Sequence, residues 1–217
     1  MILVKSKQQF VDAYGEQLWS YFKTGEPRNE IIEREDGLLS LGNYGGKLYF
    51  SEYKDWYPIE KQAMKYVRGR VLDVGCGAGR HSLYLQAKGF DVTGIDNSPL
   101  AIKVCRLRGL KKARVMAFKD VGQFKPDSFD TVLMMGNNFG LFGSYKLAQT
   151  LLKKLHRLTS PDALIIAMTR DRALLLGAHV GRHQQLGYFQ SIVIRGPVSA
   201  LPQESNFAVG NSQYHLR

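Results

Sequence analysis

The fold is decided by the stretch Val71-Leu72-Asp73-Val74-Gly75-Cys76-Gly77-Ala78-Gly79. Its first four residues are typical of a short buried strand, three glycines follow in alternate positions, and residues 80–88 have the pattern of a helix. Glycine lets the backbone bend tightly and approach a ligand without a Cβ in the way. Because ligands bind outside the carboxyl ends of strands in an open α/β sheet, this turn is the first place to expect a site.

Strands and helices alternate along the rest of the chain. Apolar periodicity predicts helices over 7–24, 58–67, 80–88, 99–108 and 144–158. Apolar runs and alternation predict strands over 71–74, 90–95, 114–119, 129–135, 163–169 and 188–195, with a seventh within 206–216. Strands that alternate with helices predict an α/β protein with a doubly wound, mostly parallel sheet and right-handed crossovers.

Three details of the sequence narrow the class of ligand. The dinucleotide fingerprint needs a third glycine where this chain has Arg80. Asp73 lies inside the strand, where a buried carboxylate needs a cationic or hydrogen-bonding partner and would repel a pyrophosphate. Asp96 ends the second strand, where a carboxylate can accept hydrogen bonds from both ribose hydroxyls. The pattern indicates a ligand with an amino group and a ribose but no phosphate, and S-adenosylmethionine is that ligand.

Both aspartates also have simpler explanations. Asp73 can be a structural carboxylate that accepts hydrogen bonds from backbone amides. Asp96 can open the next helix, because Asp96-Asn97-Ser98-Pro99 is an N-cap sequence. Capping and ribose binding can coexist, since Asn97 or Ser98 can supply the cap.

Residues 59–169 resemble the class I (Rossmann-like) S-adenosylmethionine-dependent methyltransferases. The resemblance rests on the glycine-rich stretch and on Val92-Thr93-Gly94-Ile95-Asp96-Asn97-Ser98-Pro99. It extends to Asp120, which follows the third predicted strand, and to Ser128-Phe129-Asp130-Thr131-Val132-Leu133-Met134 in the fourth. It implies a Rossmann-like sheet, S-adenosyl-L-methionine as cofactor and methyl transfer as the reaction.

The same resemblance implies which residues hold the cofactor. They are Asp73, Gly75, Cys76, Gly77, Gly79, Asp96, Asn97, Asp120, Val121, Gly136 and Asn137. Asp73 and the glycine turn would face the methionine portion, and Gly136 with Asn137 would border the transferring methyl. Asp96 would bind the ribose, and Asn97, Asp120 and Val121 would surround the adenine, although Asp120 can also be a surface turn residue.

The segment before the first strand of the sheet is rich in aromatic residues. We expect residues 1–57 to form an N-terminal helical and aromatic cap, and residues 58–217 to form the cofactor-binding domain. Within the cap, the segment that holds Tyr49, Tyr53, Trp56 and Tyr57 is predicted to form a lid over the acceptor. Tyr53, Trp56 and Tyr57 are the proposed lid residues, since segments in this position often cover the acceptor site in the family. The alternative is that these aromatic side chains only attach the segment to the sheet.

Catalytic residues cannot be assigned from the sequence. The sulfonium of the cofactor already activates its methyl group, so a general base is optional and depends on the acceptor. His81 directly follows Arg80 and is a candidate, with a place on the helix surface as the alternative. Residues 137–143, Asn-Asn-Phe-Gly-Leu-Phe-Gly, lack the Asn-Pro-Pro-Tyr signature of enzymes that methylate exocyclic amines in nucleic acids.

Charge and cysteine content set limits on location and partners. The net charge is +11, and seven cations lie close together between residues 103 and 119: Lys103, Arg106, Arg108, Lys111, Lys112, Arg114 and Lys119. Such a cluster can bind RNA phosphates or be a solvated surface, and it lacks interleaved aromatic residues for base stacking. Cys76 and Cys105 have neither disulfide nor zinc spacing, so we expect no metal and a cytoplasmic protein without a membrane span.

The leading hypothesis is a methyltransferase that acts on a small-molecule acceptor by in-line displacement. The alternatives are a tRNA or rRNA methyltransferase, and a cofactor-binding protein without turnover, which the irregular sequence after Leu174 suggests. The sequence carries no pattern that identifies the acceptor, the methylated atom or the oligomeric state.

Overall fold

A six-stranded sheet forms the centre of the molecule. The structure is a computed structural model that describes residues 12–28, 30–33, 39–42, 46–170 and 189–195. Its helices are α1 (Ala13–Thr24), α2 (Pro58–Met64), α3 (Arg80–Ala87), α4 (Pro99–Leu107) and α5 (Tyr145–Leu158). Its strands are β1 (Glu30–Glu33), β2 (Leu39–Gly42), β3 (Arg70–Val74), β4 (Asp91–Asp96), β5 (Lys112–Val115), β6 (Phe129–Met134), β7 (Thr159–Arg170) and β8 (Phe189–Arg195).

The sheet has the order β5-β4-β3-β6-β7-β8, while β1 and β2 form a separate antiparallel hairpin. The pairs β5–β4, β4–β3, β3–β6 and β6–β7 are parallel, and β8 runs antiparallel to β7. The chain builds outward from β3 to β5 and then returns to place β6 on the other side of β3. The predicted doubly wound, mostly parallel sheet is confirmed, and its switch point lies between β3 and β6.

Helices cover both faces of the sheet. On one face Phe142, Leu151 and Leu155 pack with the apolar residues of β3 and β6, and on the other Trp56, Met64 and Leu85 do so. Strands buried on both faces are apolar throughout, which explains the nearly continuous apolar run of β6.

Local signals account for most element ends. Pro58 and Pro99 each occupy the first position of a helix, where the missing N–H costs nothing, and Ser98 Oγ caps α4 by accepting from the backbone N of Ala101 at 2.9 Å. The strand predicted over 114–119 is observed as β5, which begins and ends earlier in the chain. It ends at Val115, because Phe118–Gln123 forms a 3₁₀ helix instead of continuing it. The predicted seventh strand, within 206–216, lies outside the described residues.

The N-terminal helix is attached to α4. Leu18 of α1 packs in a buried cluster with Ala78, Ala101 and Val104. Asp12 caps α1 by accepting from the backbone N of Gly15 at 2.9 Å, and its other oxygen accepts from Ser98 Oγ at 2.8 Å. Across the described ranges, every helix is too short or too polar to cross a bilayer.

Candidate functional site

A cavity of about 360 Å³ opens at the carboxyl ends of β3, β4 and β6. Its wall is formed by Tyr14, Tyr49, Val74, Gly75, Cys76, Gly77, Arg80, His81, Ile95, Asp96, Asn97, Met116, Ala117, Phe118, Met135, Gly136, Asn138 and Leu141. We call the part from 74–77 and 95–97 the glycine wall, and the part from Tyr14, Tyr49, Arg80 and His81 the cap wall. The cavity lies at the switch point, where open α/β sheets bind ligands.

The glycine turn needs its glycines for two reasons. Gly75 and Gly77 have φ values of +70° and +56°, which a residue with a side chain adopts only with strain. A Cβ on Gly75 would lie 2.5 Å from Asn138 Nδ2, and one on Gly77 would lie 2.5 Å from the Tyr14 hydroxyl. Asn138 in turn donates from Nδ2 to the carbonyls of Val74 and Gly75, at 2.8 and 2.9 Å. The turn is therefore closely surrounded by side chains from two distant segments.

Asp96 is buried in the glycine wall and organises it. One carboxylate oxygen accepts from the backbone N of Gly77 and the other from the backbone N of Ser98, both at 2.9 Å. Burial raises the pKa of this carboxyl, against the lowering effect of those two amides. Each oxygen has a further lone pair, so the side chain can accept from two neighbouring hydroxyls at the cavity surface.

Asp73 lies behind the cavity wall. Its carboxylate accepts from Ser82 Oγ at 2.6 Å, and Asp73 itself is only 2% exposed. Burial raises its pKa to about 6. The cavity wall begins at the next residue, Val74. The hydrogen-bonding partner that a buried carboxylate needs is thus supplied within the protein, by the hydroxyl of Ser82 on α3. Contact of Asp73 with a ligand stays a prediction.

The other predicted cofactor positions divide into two groups. Gly75, Cys76, Gly77, Asn97 and Gly136 line the cavity, together with Asp96. Gly79 precedes α3, Asp120 and Val121 lie in the 3₁₀ helix that begins at Phe118, and Asn137 stands between two residues of the wall. These four are near the cavity but not among its lining residues, and their contacts with a cofactor stay predictions.

The three predicted lid residues are placed away from the cavity wall. Trp56 is 3% exposed and packs edge-on against His81 and Tyr84, with ring centroids 4.5 and 5.2 Å apart. Tyr53 stacks on Tyr84 at 4.5 Å, and Tyr57 precedes α2 as its N-cap. Large aromatic surfaces bury where a partner of similar size is available, and Tyr84 supplies one. This packing matches the alternative, attachment of the segment to the domain, while a role as a lid stays a prediction.

Tyr14, which was not predicted at the site, and Tyr49, which belongs to the segment predicted as a lid, contribute to the cavity instead. Tyr14 of α1 and Tyr49 meet edge to face with centroids 5.2 Å apart, and both line the cavity. Burial raises the pKa of Tyr14 well above its usual range, followed in effect by the neighbouring Tyr49 and Asp96. Tyr14 lies within the helix predicted over 7–24, but the sequence does not reveal what that helix faces.

A buried ionic cluster joins α2 to α3 at the edge of the cap wall. The Glu60 carboxylate accepts from Arg80 Nη2 and from the backbone N of Tyr57, the latter at 3.1 Å, and lies 3.2 Å from His81 Nε2. Arg80 also donates from Nη1 to Ser51 Oγ at 3.1 Å. Since Arg80 and His81 line the cavity and Glu60 is 1% exposed, the cluster places polar groups where an apolar wall would otherwise stand.

The basic cluster at 103–119 uses several of its charges within the protein. Arg106 and Arg108 donate to the carbonyls of Ala113 and Ala78, at 2.8 and 2.5 Å, and Lys112 Nζ lies 2.6 Å from Asp91 Oδ1. Lys103 and Arg114 lie over the rings of Trp19 and Phe124. These contacts favour the surface explanation over RNA binding. Where side chains are described, no group of three potential metal ligands occurs.

Comparisons with known proteins agree with this geometry. A family model described as a methyltransferase domain matches residues 71–162. The chain is 44% identical over 71 residues to the ubiquinone biosynthesis O-methyltransferases of Xanthomonas euvesicatoria pv. vesicatoria and Xylella fastidiosa. Those matches cover 30% of this chain and 30% and 29% of the two relatives, so the chain spans about 30% of the curated relatives it matches.

A solved structure is similar over much more of the chain. It is the crystal structure of a SAM-dependent methyltransferase from Bacteroides fragilis in complex with S-adenosyl-L-homocysteine. The two are 27% identical with a TM-score of 0.69, and the match covers 86% of this chain and 76% of that chain. The likeness therefore extends beyond the glycine turn to most of the described fold.

Proposed function

We propose that this chain, which belongs to the class I S-adenosylmethionine-dependent methyltransferases, transfers a methyl group from S-adenosylmethionine to a small organic acceptor by in-line displacement. The observation that carries the proposal is the glycine wall, where a buried carboxylate and a glycine-rich turn meet at the switch point of the sheet. The family supplies the reaction, and the cavity at the carboxyl ends of the strands supplies a place for the cofactor.

The residues of the glycine wall fit this cofactor. Asp96 keeps a lone pair on each oxygen after accepting from the amides of Gly77 and Ser98, which suits the two hydroxyls of a ribose. Ile95, Met116 and Phe118 give the adjoining wall an apolar character that suits a flat purine. We assign Asn97, Asp120 and Val121 to the adenine side, and Gly75, Cys76, Gly136 and Asn137 to the methionine side. Asp73 and Gly79 would support the turn from behind.

The chain's own task in this reaction is placement. S-adenosylmethionine supplies a methyl group already activated by its sulfonium. The protein must hold the acceptor atom behind that methyl, in line and at close distance, and exclude water from the contact. We place the acceptor against the cap wall, because Tyr14, Tyr49 and His81 line the same cavity as the glycine turn and supply side chains that an acceptor can contact. The cap segment of 1–57 would therefore set acceptor choice, and 58–217 would hold the cofactor.

We also propose that the protein works in the cytoplasm. Support comes from Cys76 and Cys105, whose sulfurs lie 3.9 Å apart in the core and are not bridged. Thiols so close together stay reduced most readily in a reducing compartment. Fractionation of cells that express the full-length protein tests this, and recovery outside the cytoplasmic fraction would contradict it.

Calorimetric titration with S-adenosylhomocysteine, with NADH as the control ligand, tests the cofactor. We expect micromolar binding of the first and none of the second, because Arg80 and Asp73 disfavour a dinucleotide. A screen with radiolabelled S-adenosylmethionine against small hydroxyl, amine and thiol compounds then tests turnover. Binding without any labelled product would favour a cofactor-binding protein without turnover, and absence of binding would contradict the proposal.

A further inference from the structure

Resting on the proposed function, we infer that His81 is the general base that removes the acceptor's proton during methyl transfer, with Glu60 as its positioning residue. The inference goes on to name the acceptor class, a small molecule with a hydroxyl group. His81 lines the cavity on the first turn of α3, and Glu60 stands behind it, away from the cavity lining. The pair is arranged as a base and the carboxylate that orients it.

The hydrogen bonds fix which ring nitrogen of His81 carries the proton. Glu60 stands beside the permanently charged Arg80, and although burial would raise its pKa, the hydrogen bond from His81 and the charge of Arg80 lower it. An ionised carboxylate only accepts hydrogen bonds, so the contact of 3.2 Å requires the proton to be on Nε2. In a neutral ring this leaves a lone pair on Nδ1.

The ring is neutral at physiological pH. Burial lowers the pKa of His81 to about 4, opposed by the hydrogen bond from Glu60 and assisted by the charge of Arg80. Glu60 and Arg80 are the two charged groups that face it, and their charges cancel. Within the described part of the chain, Nδ1 makes no hydrogen bond. His81, a residue of the cavity wall, thus carries an unused lone pair on Nδ1.

The proposed step balances as follows. The acceptor oxygen forms a bond to the methyl carbon, the carbon–sulfur bond breaks, and its electron pair stays on sulfur. The proton of the hydroxyl passes to Nδ1 of His81, and the imidazolium that forms is stabilised by Glu60 before the proton leaves to water. A weak base is adequate, because the oxygen becomes strongly acidic only as the new bond forms.

A structural role for the same cluster has to be separated from this one. Glu60 and Arg80 also connect Ser51 and Tyr57 to α3, so their loss will disturb the cap whether or not His81 is a base. The ionisation state of the acceptor distinguishes a structural role from a role of His81 as a base. A phenol needs its proton removed during the reaction, whereas thiophenol at about pH 8 is already ionised and needs no base.

The first experiment therefore compares His81→Asn with wild type on phenol, catechol and thiophenol, using radiolabelled S-adenosylmethionine. We expect roughly a 100-fold or greater loss of kcat with the hydroxyl compounds, the usual contribution of a general base, and less than about a threefold loss with thiophenol. His156→Asn, an exposed histidine of α5, is the matched control and should leave all three rates unchanged. Equal losses on both acceptor types would overturn the inference in favour of a structural role.

Binding separates this inference from the proposed function. If wild type binds S-adenosylhomocysteine but methylates none of the hydroxyl probes, the acceptor class is wrong and the proposed methyl transfer still stands. If S-adenosylhomocysteine does not bind, the proposed function itself fails. The His81→Asn variant should bind S-adenosylhomocysteine within about threefold of wild type, since Asp96 and the glycine turn are unchanged.

Histidine ¹⁵N spectra supply a readout that does not depend on turnover. At about pH 7 the His81 signals, assigned by their loss in His81→Asn, should report a neutral ring with the proton on Nε2. In Glu60→Gln the side-chain amide can donate as well as accept, so the tautomer with the proton on Nδ1 should appear. A wild-type ring with its proton on Nδ1, or one that is charged at this pH, would contradict the inference.

Discussion

One wall of the cavity is made from two short runs of consecutive residues, and the other draws its residues from three separate segments of the chain. The glycine wall consists of 74–77 and 95–97, which follow two neighbouring parallel strands directly. The cap wall takes Tyr14 from α1, Tyr49 from a 3₁₀ helix, and Arg80 with His81 from α3. The glycine wall contains the two positive-φ glycines Gly75 and Gly77, and the cap wall consists of aromatic and charged or polar residues.

The difference teaches which parts of such a protein can evolve separately. A turn formed by backbone has little freedom to change, because any Cβ at Gly75 or Gly77 meets a neighbour at 2.5 Å. Side chains in the cap wall can be exchanged while the sheet stays as it is. We therefore expect substitutions in the cap wall and its supporting ionic cluster to act differently from those in the glycine wall.

The largest effect is expected from Glu60→Gln. Removing the carboxylate leaves Arg80 buried without its counter-ion, which should lower the free energy of unfolding by about 3–5 kcal/mol. Urea denaturation measures this. Asp91→Asn is the matched control, because Asp91 pairs with Lys112 at the exposed surface and its loss should cost about 1 kcal/mol or less. Equal losses in both variants would mean that the Glu60 cluster is not a buried ion pair in solution.

The contact between the two walls is tested by Gly77→Ala. Its Cβ would meet the Tyr14 hydroxyl, and together with the positive φ this should cost about 2–4 kcal/mol of stability. Gly89→Ala, also at positive φ but with open space around it, should cost only about 1–2 kcal/mol.

A second variant shows whether Tyr14 causes the larger stability loss expected for Gly77→Ala than for Gly89→Ala. Tyr14→Phe removes the hydroxyl, after which the nearest atom to the new Cβ is a ring carbon 3.7 Å away. The double variant Gly77→Ala with Tyr14→Phe should therefore regain most of the stability that Gly77→Ala loses beyond Gly89→Ala. If it regains none, α1 does not rest on the glycine turn.

Asp73 is expected to make stability depend on pH. Its folded pKa of about 6 lies above the unfolded value of about 3.9. The stability contributed by the protonated form is therefore complete below about pH 4 and is lost as the pH rises through about 6. Asparagine does not titrate, so the stability of Asp73→Asn relative to wild type should rise by about 2–3 kcal/mol as the pH increases from about 4 to above 6. The measurement is the difference in the free energy of unfolding between the two proteins at each pH. The folded state lowers the pKa of His81, so its ionisation changes stability with pH in the opposite direction. This change is the same in wild type and in Asp73→Asn, and it therefore cancels from the difference.

The smallest effect is expected on ligand binding by Asp96→Ala. Loss of the hydrogen bonds to the ribose should weaken S-adenosylhomocysteine binding by about 1–3 kcal/mol, the range for a hydrogen bond to a charged group. Asp91→Ala, at the other end of the same strand and paired with Lys112 at the surface, is the control and should bind normally. Unchanged affinity in Asp96→Ala would remove the ribose assignment.

The same contrast explains what the sequence could predict. The sheet, its switch point and the glycine wall follow from short contiguous patterns such as 71–79 and 92–99, because neighbouring residues there act together. Even so, the direction of Asp73 was open, since a strand residue can face either side and the hydroxyl of Ser82 lies on the following helix.

The cap wall could not be predicted, because its contacts join distant residues. His81 and Glu60 are 21 positions apart, and no local pattern shows that their side chains meet. The aromatic residues near position 55 suited a lid and an anchor equally well, and only the presence of Tyr84 on α3 decided the packing of Tyr53 and Trp56.

Asp12 has a consequence for the order in which the protein can assemble. Its carboxylate binds the hydroxyl of Ser98 and the backbone N of Leu100, which lie 86 and 88 positions further along the chain. During synthesis α1 therefore leaves the ribosome long before the surface that receives it exists. A helix of 12 residues is barely stable alone in water. The cap wall cannot close until α4 has been made, and every nascent chain must pass through a stage in which the cavity lacks that side.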